Sequence, residues 1–322
     1  MELGQVVRIA ALTDPAGNIH AAIESFLLFC RAKNLADQTI NYYYYRLQAF
    51  QRYLEGQAPD TMPQDIMPQL IREFLADELE RNSPSTVNHS VIALRVFFNY
   101  LVGEGYLARN PMENIQKVRC KKALIETFSR DQVEAVLATC GKDFLGVRDR
   151  AIIMSLFDCG LRASELCGLT LDDISWDDQT LRVLGKGDKE RIVPFGQAAK
   201  YALMQYAGRR AQVASRFFFV NCYSGEMDRY RVRDIVKARC KQAGVTGVRC
   251  SPHTLRHTFA VEYLRAGGDP FVLQKVLGHS DLTMTRRYCE LSQTDISEGH
   301  RLHSPADRLH TLTPRTGRRR IR

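Results

Sequence analysis

The stretch that decides the fold of this chain is residues 251–290, SPHTLRHTFAVEYLRAGGDPFVLQKVLGHSDLTMTRRYCE. Ser251-Pro252 is a helix-start signal, because serine caps the first turn and proline is tolerated at the first helical position. The pattern predicts a helix that runs to Arg265 and is closed by Gly267-Gly268. Asp269-Pro270 repeats the start signal, so a second, shorter helix is expected to follow.

Four side chains of this segment are suited to binding or attacking a phosphate. His253 and Arg256 are three residues apart on one helical face, beside a helix N-terminus whose unpaired N–H groups favour an anion. Arginine adds a planar fork of donors that matches phosphate oxygens. His279 is placed at the end of the second helix, and Tyr288 follows nine residues later. Taken singly, such a histidine is more often structural and such a tyrosine more often a packing residue.

A metal site is not expected from the histidines or the cysteines. His253 and His257 have the i,i+4 spacing of a zinc helix, but position 254 is threonine where the H-E-x-x-H pattern needs its glutamate. The nine cysteines are scattered singly, without a C-x-x-C pair. No P-loop is present either, so neither a metal nor a nucleotide cofactor is predicted.

Two further segments carry cations in unusual places. In 156–169, LFDCGLRASELCGL, Arg162 follows a helix-ending glycine in a short loop, with Glu165 three residues on. This arginine is a second candidate phosphate ligand oriented by Glu165, or one half of a surface ion pair of little consequence. Residues 180–194, TLRVLGKGDKERIVP, alternate around a Gly-Lys-Gly-Asp turn and predict a β-hairpin with Lys186 at its tip. Lys186 is either a donor that projects into a groove or an ordinary turn lysine.

The remaining pattern predicts a helical first half and a mixed second half. Helices are expected over 19–33, from Asp37 as N-cap to Leu54, and over 87–102 after a cap signal at Ser83-Pro84, within a compact four-helix domain. The run Tyr42–Tyr45 could be a base-stacking platform, but four consecutive residues turn about 400° around a helix, which favours a mixture of core and surface positions.

In the second half the sequence predicts a capping box at Ser129 and Gln132 and a helix from Phe144 to Cys159. Further helices are predicted at 197–210 and 229–243. The predicted fold class is mainly α with a small antiparallel sheet.

Charge is unevenly distributed along the chain. Residues 1–117 hold 10 basic against 13 acidic side chains, whereas 118–322 hold 35 against 23. Residues 301–322 alone carry seven arginines against Asp307. A basic balance of this kind favours nucleic acid as partner. No apolar run approaches the roughly 20 residues of a membrane span, and the N-terminus lacks a signal-peptide layout, so a cytoplasmic protein with no membrane partner is expected.

Five motifs in order resemble the tyrosine recombinase (phage integrase) family, most closely its Xer-type members. They are CGLRASELCGL, VLGKGDKERIVP, SPHTLRHTFA, KVLGHSDL and TRRY, and the resemblance extends over about 124–290. The resemblance implies a helical SAM-like core-binding domain at 1–116 and a linker at 117–127. It also implies a mixed α+β catalytic domain at 128–300 and a basic tail at 301–322.

The resemblance also assigns the chemistry. It implies that Arg162, Arg256, His253 and His279 hold the scissile phosphate of double-stranded DNA at a specific core site. Lys186 would protonate the leaving 5′-oxygen, and Tyr288 would form a 3′-phosphotyrosine, with Glu165 as a supporting residue. A phenol has a pKa near 10 and needs such cationic help at neutral pH. Because the phosphotyrosine conserves the energy of the ester, rejoining needs no cofactor.

Other readings and one departure from the family remain. A type IB topoisomerase-like enzyme that only relaxes DNA, or a DNA-binding protein that has lost catalysis, would share part of this pattern. The first 117 residues are net acidic although the family's core-binding domain grips DNA. Candidate basic contacts there are Lys33, Arg46, Arg52, Arg72, Arg81 and Arg95. Relatives assemble as tetramers through a C-terminal segment, so a homotetramer, or a heterotetramer with a related recombinase, is expected on DNA.

Overall fold

The structure is a computed structural model that describes residues 15–59, 61–120, 125–185, 189–223, 225–279, 281–292 and 304. The chain divides into two compact units, Met1–Ala123 and Leu124–Arg322. Over the described residues it is mainly helical with one small antiparallel sheet, as the sequence predicts. Among the described helices, none combines the length and the apolar character needed to cross a bilayer.

The described residues of the first unit form four α-helices: α1 (Ile19–Ala32), α2 (Asp37–Gln57), α3 (Pro68–Arg81) and α4 (Pro84–Gly103). Their apolar faces meet in one core, which includes the fully buried phenylalanines Phe26, Phe50, Phe74, Phe97 and Phe98. Ser83 caps α4 by accepting the N–H of Thr86, as predicted. The prediction of Asp37 as a cap is wrong: the N-cap is Ala36, and Asp37 begins the helix, where its charge favours the positive end.

The four consecutive tyrosines of α2 do not share one face. Tyr43 and Tyr44 pack against the core of the unit, whereas Tyr45 is 68% exposed. Tyr42 donates its hydroxyl hydrogen to the carbonyl of His89. The mixture of core and surface positions is therefore confirmed, because helical rotation separates adjacent side chains by about 100°.

The second unit surrounds a short sheet with helices. Its elements are α5 (Arg130–Ala138), α6 (Phe144–Asp158), α7 (Ala163–Gly168), β1 (Ile174–Ser175), β2 (Thr180–Leu184), β3 (Glu190–Pro194), α8 (Gln197–Arg210), α9 (Arg229–Gln242), α10 (Pro252–Arg265), α11 (Pro270–Leu277) and α12 (Leu282–Ser292). The capping box at Ser129 and Gln132 and the caps at Ser251 and Asp269 are all present.

The predicted hairpin is β2 and β3, paired antiparallel with Leu181 opposite Val193, and β1 adds a third strand on the far side of β2. Leu181, Val183 and Val193 are buried in the main core of the unit. The tip, residues 186–188, lies outside the described residues, and so does the predicted catalytic Lys186.

The local prediction around Arg162 is confirmed. Arg162 lies at the end of the short loop that follows α6, and it is also the N-cap residue of the short helix α7. The carboxylate of Glu165 accepts the backbone N–H of Arg162 at 2.8 Å and so satisfies a donor at the start of that helix. Of the predicted linker, residues 121–124 lie outside the description, as does the predicted tail apart from Ser304.

Candidate active site

The C-terminal end of α11 is held by three arginine side chains from three other elements. The donor–acceptor pairs are Arg191 to the carbonyl of Val276 (2.8 Å), Arg256 to that of Leu277 (2.7 Å) and, more loosely, Arg162 to that of Gly278 (3.4 Å). The last carbonyls of a helix lack partners within the helix and carry a partial negative charge. Guanidinium groups therefore fix this end of α11 and are themselves fixed by it.

Glu165 lies among the same three arginines. Arg191 binds its carboxylate with both terminal nitrogens at 2.8 Å, and Arg162 binds it at 2.7 Å. A nitrogen of Arg256 lies 3.8 Å from it. The side chain of Glu165 is only 4% exposed and that of Arg191 12%, so their ion pair is largely shielded from water.

The electrostatics of the cluster follow from this packing. Burial alone would raise the pKa of Glu165, but the hydrogen bonds and charges of Arg191 and Arg162 outweigh it and lower the pKa to about 2. Burial and the positive charge of Arg162 lower the pKa of Arg256 to about 10. Three guanidinium groups and one carboxylate leave a net positive site, which can bind an anion.

His279 links this cluster to Tyr288. Its Nε2 lies 3.3 Å from Nη2 of Arg256 and its Nδ1 lies 3.2 Å from Oγ1 of Thr285. Because an arginine nitrogen only donates, Nε2 accepts and Nδ1 carries the hydrogen. Burial and the charges of Arg256 and Arg162 lower the pKa of His279 to about 4, so the ring is neutral at pH 7. The ring stacks on that of Tyr288, with centroids 6.1 Å apart and planes inclined by 20°.

Tyr288, on α12, is only 1% exposed. It packs in an apolar cluster with Val261, Leu264 and Leu273. Its hydroxyl lies 2.6 Å from Nδ1 of His257. Burial raises the pKa of the Tyr288 phenol, and the nearby arginines oppose that rise, Arg256 most strongly. In this state the phenol is protonated and covered.

The structure brings together most of the residues singled out in the sequence. Arg162 and Arg256 share Glu165, and Arg256 and Tyr288 both contact His279. His253 is exposed on α10, and its ring meets that of His257 with centroids 4.1 Å apart. The pKa of His253 is lowered as well, mainly by partial burial of its ring and secondly by the charge of Arg256.

Three residues of the cluster escaped the sequence analysis. Arg191 could have been found, because strand alternation places it on the same face as the buried Val193, where a cation needs a partner. The i,i+4 spacing of His253 and His257 points only to a metal helix and gives no sign of the contact between His257 and Tyr288. Thr285 gives no sequence signal of its own, since a threonine within a helix is ordinary.

Comparison with known proteins places this site in a family. Residues 126–294 match the phage integrase family, and residues 23–106 match its N-terminal SAM-like domain. The chain belongs to the phage integrase family. The predicted resemblance is thereby confirmed.

The relatives are named as tyrosine recombinases. The chain is 34% identical to tyrosine recombinase XerC of Thermodesulfovibrio yellowstonii over 78% of its own length and 84% of the relative's. It is 34% identical to tyrosine recombinase XerD of Pseudomonas aeruginosa over 89% of its length and 98% of the relative's. The chain is thus an enzyme of the tyrosine recombinase class and performs site-specific recombination by a tyrosine mechanism.

Solved structures confirm the fold. XerH recombinase in a post-cleavage complex with a palindromic difH substrate superposes with a TM-score of 0.72, at 20% identity over 94% of each chain. A lambda integrase tetramer bound to a Holliday junction gives 0.69, at 18% identity over 88% of this chain and 83% of that one.

Proposed function

We propose that Tyr288 attacks a phosphodiester of double-stranded DNA and that Arg162, Arg256, His253 and His279 hold the phosphate during the attack. The observation that carries this proposal is the chain of contacts from Glu165 through Arg256 and His279 to Tyr288. It joins a net positive anion site to the proposed nucleophile within one cluster of contacts.

The two arginines have different parts in this proposal. Arg256 is 2% exposed and is anchored by the carbonyls of Gly160 and Leu277, so it is preorganised for one phosphate oxygen. The side chain of Arg162 is 39% exposed, so it can turn toward a second phosphate oxygen while it keeps its ion pair with Glu165. Fixed positive donors stabilise the charge that accumulates on the pentacoordinate phosphorus.

His279 must change its hydrogen bonding when the phosphate arrives. In the described state its Nε2 accepts from Arg256 and cannot donate to an oxygen. An incoming anion would engage Arg256 and raise the pKa of the ring, which then gains a proton and becomes a donor. Lys186, outside the described residues, is proposed as the acid that protonates the departing 5′-oxygen.

The burial of Tyr288 supports a timing mechanism. A phenol that is 1% exposed and whose pKa is raised has little chance to react by itself. We propose that DNA and a neighbouring protomer shift α12 and deliver the hydroxyl to the phosphate, within a tetramer made of one recombinase or of two related ones. Rapid cleavage by an isolated monomer would contradict this timing.

The proposed partner is a specific core site in DNA, reached in the cytoplasm. Lambda integrase is seen as a tetramer on a Holliday junction, and XerH on a difH substrate, which supports an equivalent assembly here. The proposed domains are a DNA-clamping domain at 1–116, a linker at 117–127, a catalytic domain at 128–300 and a basic tail at 301–322. Integration, excision and resolution all use this same chemistry.

A nicked suicide substrate tests the proposal. Once the short 5′ fragment diffuses away, the covalent protein–DNA adduct accumulates and is seen as a shifted band on a denaturing gel. Wild type should form it without added metal or ATP, whereas Tyr288→Phe should form none, because no nucleophile remains. An adduct with Tyr288→Phe, or none with wild type, would reject the assignment. A product that is relaxed but never recombined would indicate a topoisomerase instead.

A further inference from the structure

We infer that His257 is a further catalytic residue, which accepts the phenolic proton of Tyr288 as the tyrosine attacks. The inference rests on the proposed role of Tyr288. That role does not say which group takes the phenolic proton, and the inference names that group. Nδ1 of His257 and the hydroxyl oxygen of Tyr288 are 2.6 Å apart, the distance at which a proton passes between two groups.

The direction of this hydrogen bond follows from the surroundings. Within the part of the chain that the structure describes, His257 is the one hydrogen-bond partner of the Tyr288 hydroxyl. The ring of Tyr288 otherwise packs against the ring of His279 and against apolar side chains, among them Leu264 and Leu277. A protonated phenol donates its hydrogen to an available acceptor, so Nδ1 of His257 accepts and Nε2 carries the ring hydrogen.

His257 also lies on the helical face of α10 that carries two of the proposed phosphate ligands. His253, Arg256 and His257 occupy positions i, i+3 and i+4 of α10, which share one helical face. The rings of His253 and His257 are in contact, with centroids 4.1 Å apart. A phosphate held by His253 and Arg256 would therefore lie on the side of the helix from which His257 reaches Tyr288.

The charge state of His257 suits an acceptor. Partial burial and the neighbouring positive charges lower its pKa to about 4, so Nδ1 has a free lone pair at neutral pH. A phosphate anion between the arginines would compensate those charges and make the ring more basic at the moment of attack.

The step balances without any added reactant. The O–H bond of Tyr288 breaks and its proton forms an N–H bond at Nδ1 of His257. The oxygen forms the bond to phosphorus, the bond from phosphorus to the 5′-oxygen breaks, and that oxygen takes a proton from the acid assigned to Lys186. In rejoining, the His257 imidazolium returns its proton to the departing phenol.

Three substitutions separate proton transfer from mere positioning. His257→Ala removes the ring. His257→Gln places an amide group near the position of Nε2, farther from the backbone than Nδ1. His257→Asn keeps a hydrogen-bond acceptor near the position of Nδ1, but an amide is too weak a base to take the proton. Single-turnover cleavage of the suicide substrate at saturating protein should slow by about 10²-fold or more in all three. Added imidazole should restore part of the rate of His257→Ala only.

A fluorinated tyrosine at position 288 gives a second readout. Its phenol is more acidic and depends less on a base, so the defect of His257→Ala should shrink when both changes are combined. A substrate with sulfur as the 5′ leaving atom needs no acid and should leave the defect of His257→Ala unchanged. His89→Ala is the matched control, since His89 Nδ1 also lies near a tyrosine hydroxyl, that of Tyr42 at 3.5 Å. The cleavage rate of His89→Ala should equal that of the matching protein with His89, with or without imidazole and with tyrosine or fluorotyrosine at position 288.

The outcomes separate the two proposals. If wild type forms no adduct, both are overturned. If wild type forms the adduct and His257→Asn cleaves at the wild-type rate, His257 only positions the hydroxyl and this inference alone fails. Rescue of His257→Ala by the sulfur leaving group would place His257 on the leaving-group side and would also overturn it.

Discussion

At the scale of single residues, Glu165 explains how three arginines can lie side by side. Without a carboxylate, the guanidinium groups of Arg162, Arg191 and Arg256 would repel one another in a poorly solvated pocket. Glu165 compensates part of that positive charge and fixes the orientation of the guanidinium groups. Glu165 thus orients the arginines that we propose as phosphate ligands.

Replacing Glu165 with glutamine should destabilise the protein by about 3 kcal/mol at pH 7, because a buried charge pair loses one partner. The pKa of Glu165 is depressed in the folded protein from its ordinary value of 4.5 to about 2. Its stabilising contribution is therefore complete above about pH 4.5 and is lost as the pH falls toward 2. Urea unfolding of wild type and Glu165→Gln should show a difference at pH 7 that shrinks across this window.

Glu190→Gln is the matched control for this measurement. Glu190 is exposed on β3, one residue before Arg191, and its substitution should change the free energy of unfolding by less than about 0.5 kcal/mol. An equal loss in both variants, or a difference that grows as the pH falls, would contradict the assigned role of Glu165.

At the scale of elements, the turn between α6 and α7 is as important as the helices. Gly160 has φ +59° in this turn, and its carbonyl accepts from Arg256 at 2.5 Å. A Cβ at this position would lie 2.4 Å from the ring of Phe259 and 2.8 Å from Leu277. Glycine is therefore required both by the backbone conformation and by the close approach of α10 and α11.

Gly160→Ala should lower the free energy of unfolding by roughly 2–4 kcal/mol, from the left-handed backbone and from overpacking together. Because the same turn anchors Arg256, formation of the covalent adduct should slow even where the protein remains folded. Gly208→Ala is the control: it lies in α8 with open space at its Cβ, so alanine there should be neutral or stabilise by up to about 1 kcal/mol. Chemical denaturation measures the free energies, and equal effects of the two substitutions would exclude this explanation.

At the scale of the whole molecule, the separation of charge along the sequence matters for binding DNA. From the acidic balance of residues 1–117 and the basic balance of 118–322, we expect most phosphate contacts to come from the second half of the chain. The arginines of 301–322 extend that basic character beyond the catalytic helices.

Substituting Arg318, Arg319 and Arg320 together by glutamine should weaken DNA binding at low salt and reduce the salt dependence. Each lost phosphate contact lowers the slope of log affinity against log salt by about 0.9, so the slope should fall by up to about 3. Lysine at the same three positions keeps the charge and should keep the slope. Fluorescence anisotropy over a salt series gives the slopes, and an unchanged slope in the glutamine variant would show that these side chains do not contact phosphate.

The sequence by itself determined the fold class, the helix starts at Ser83, Ser129, Ser251 and Asp269, and the family. These follow from local rules: caps, helical periodicity and strand alternation act over a few residues and can be read directly. The order of the motifs also predicts Tyr288 as the nucleophile and the two arginines and two histidines as phosphate ligands. The roles of those residues, with Lys186 among them, stay predictions that the adduct experiments test.

Only the tertiary structure decided which side chains touch. The bond between His257 and Tyr288 joins residues 31 apart in sequence, and that between Arg191 and Glu165 joins residues 26 apart. Neither distance follows from a local rule, because each depends on how separate helices and a strand pack around the end of α11. Burial of Tyr288 is likewise a property of that packing, and it covers the one tyrosine among thirteen that we propose as the nucleophile.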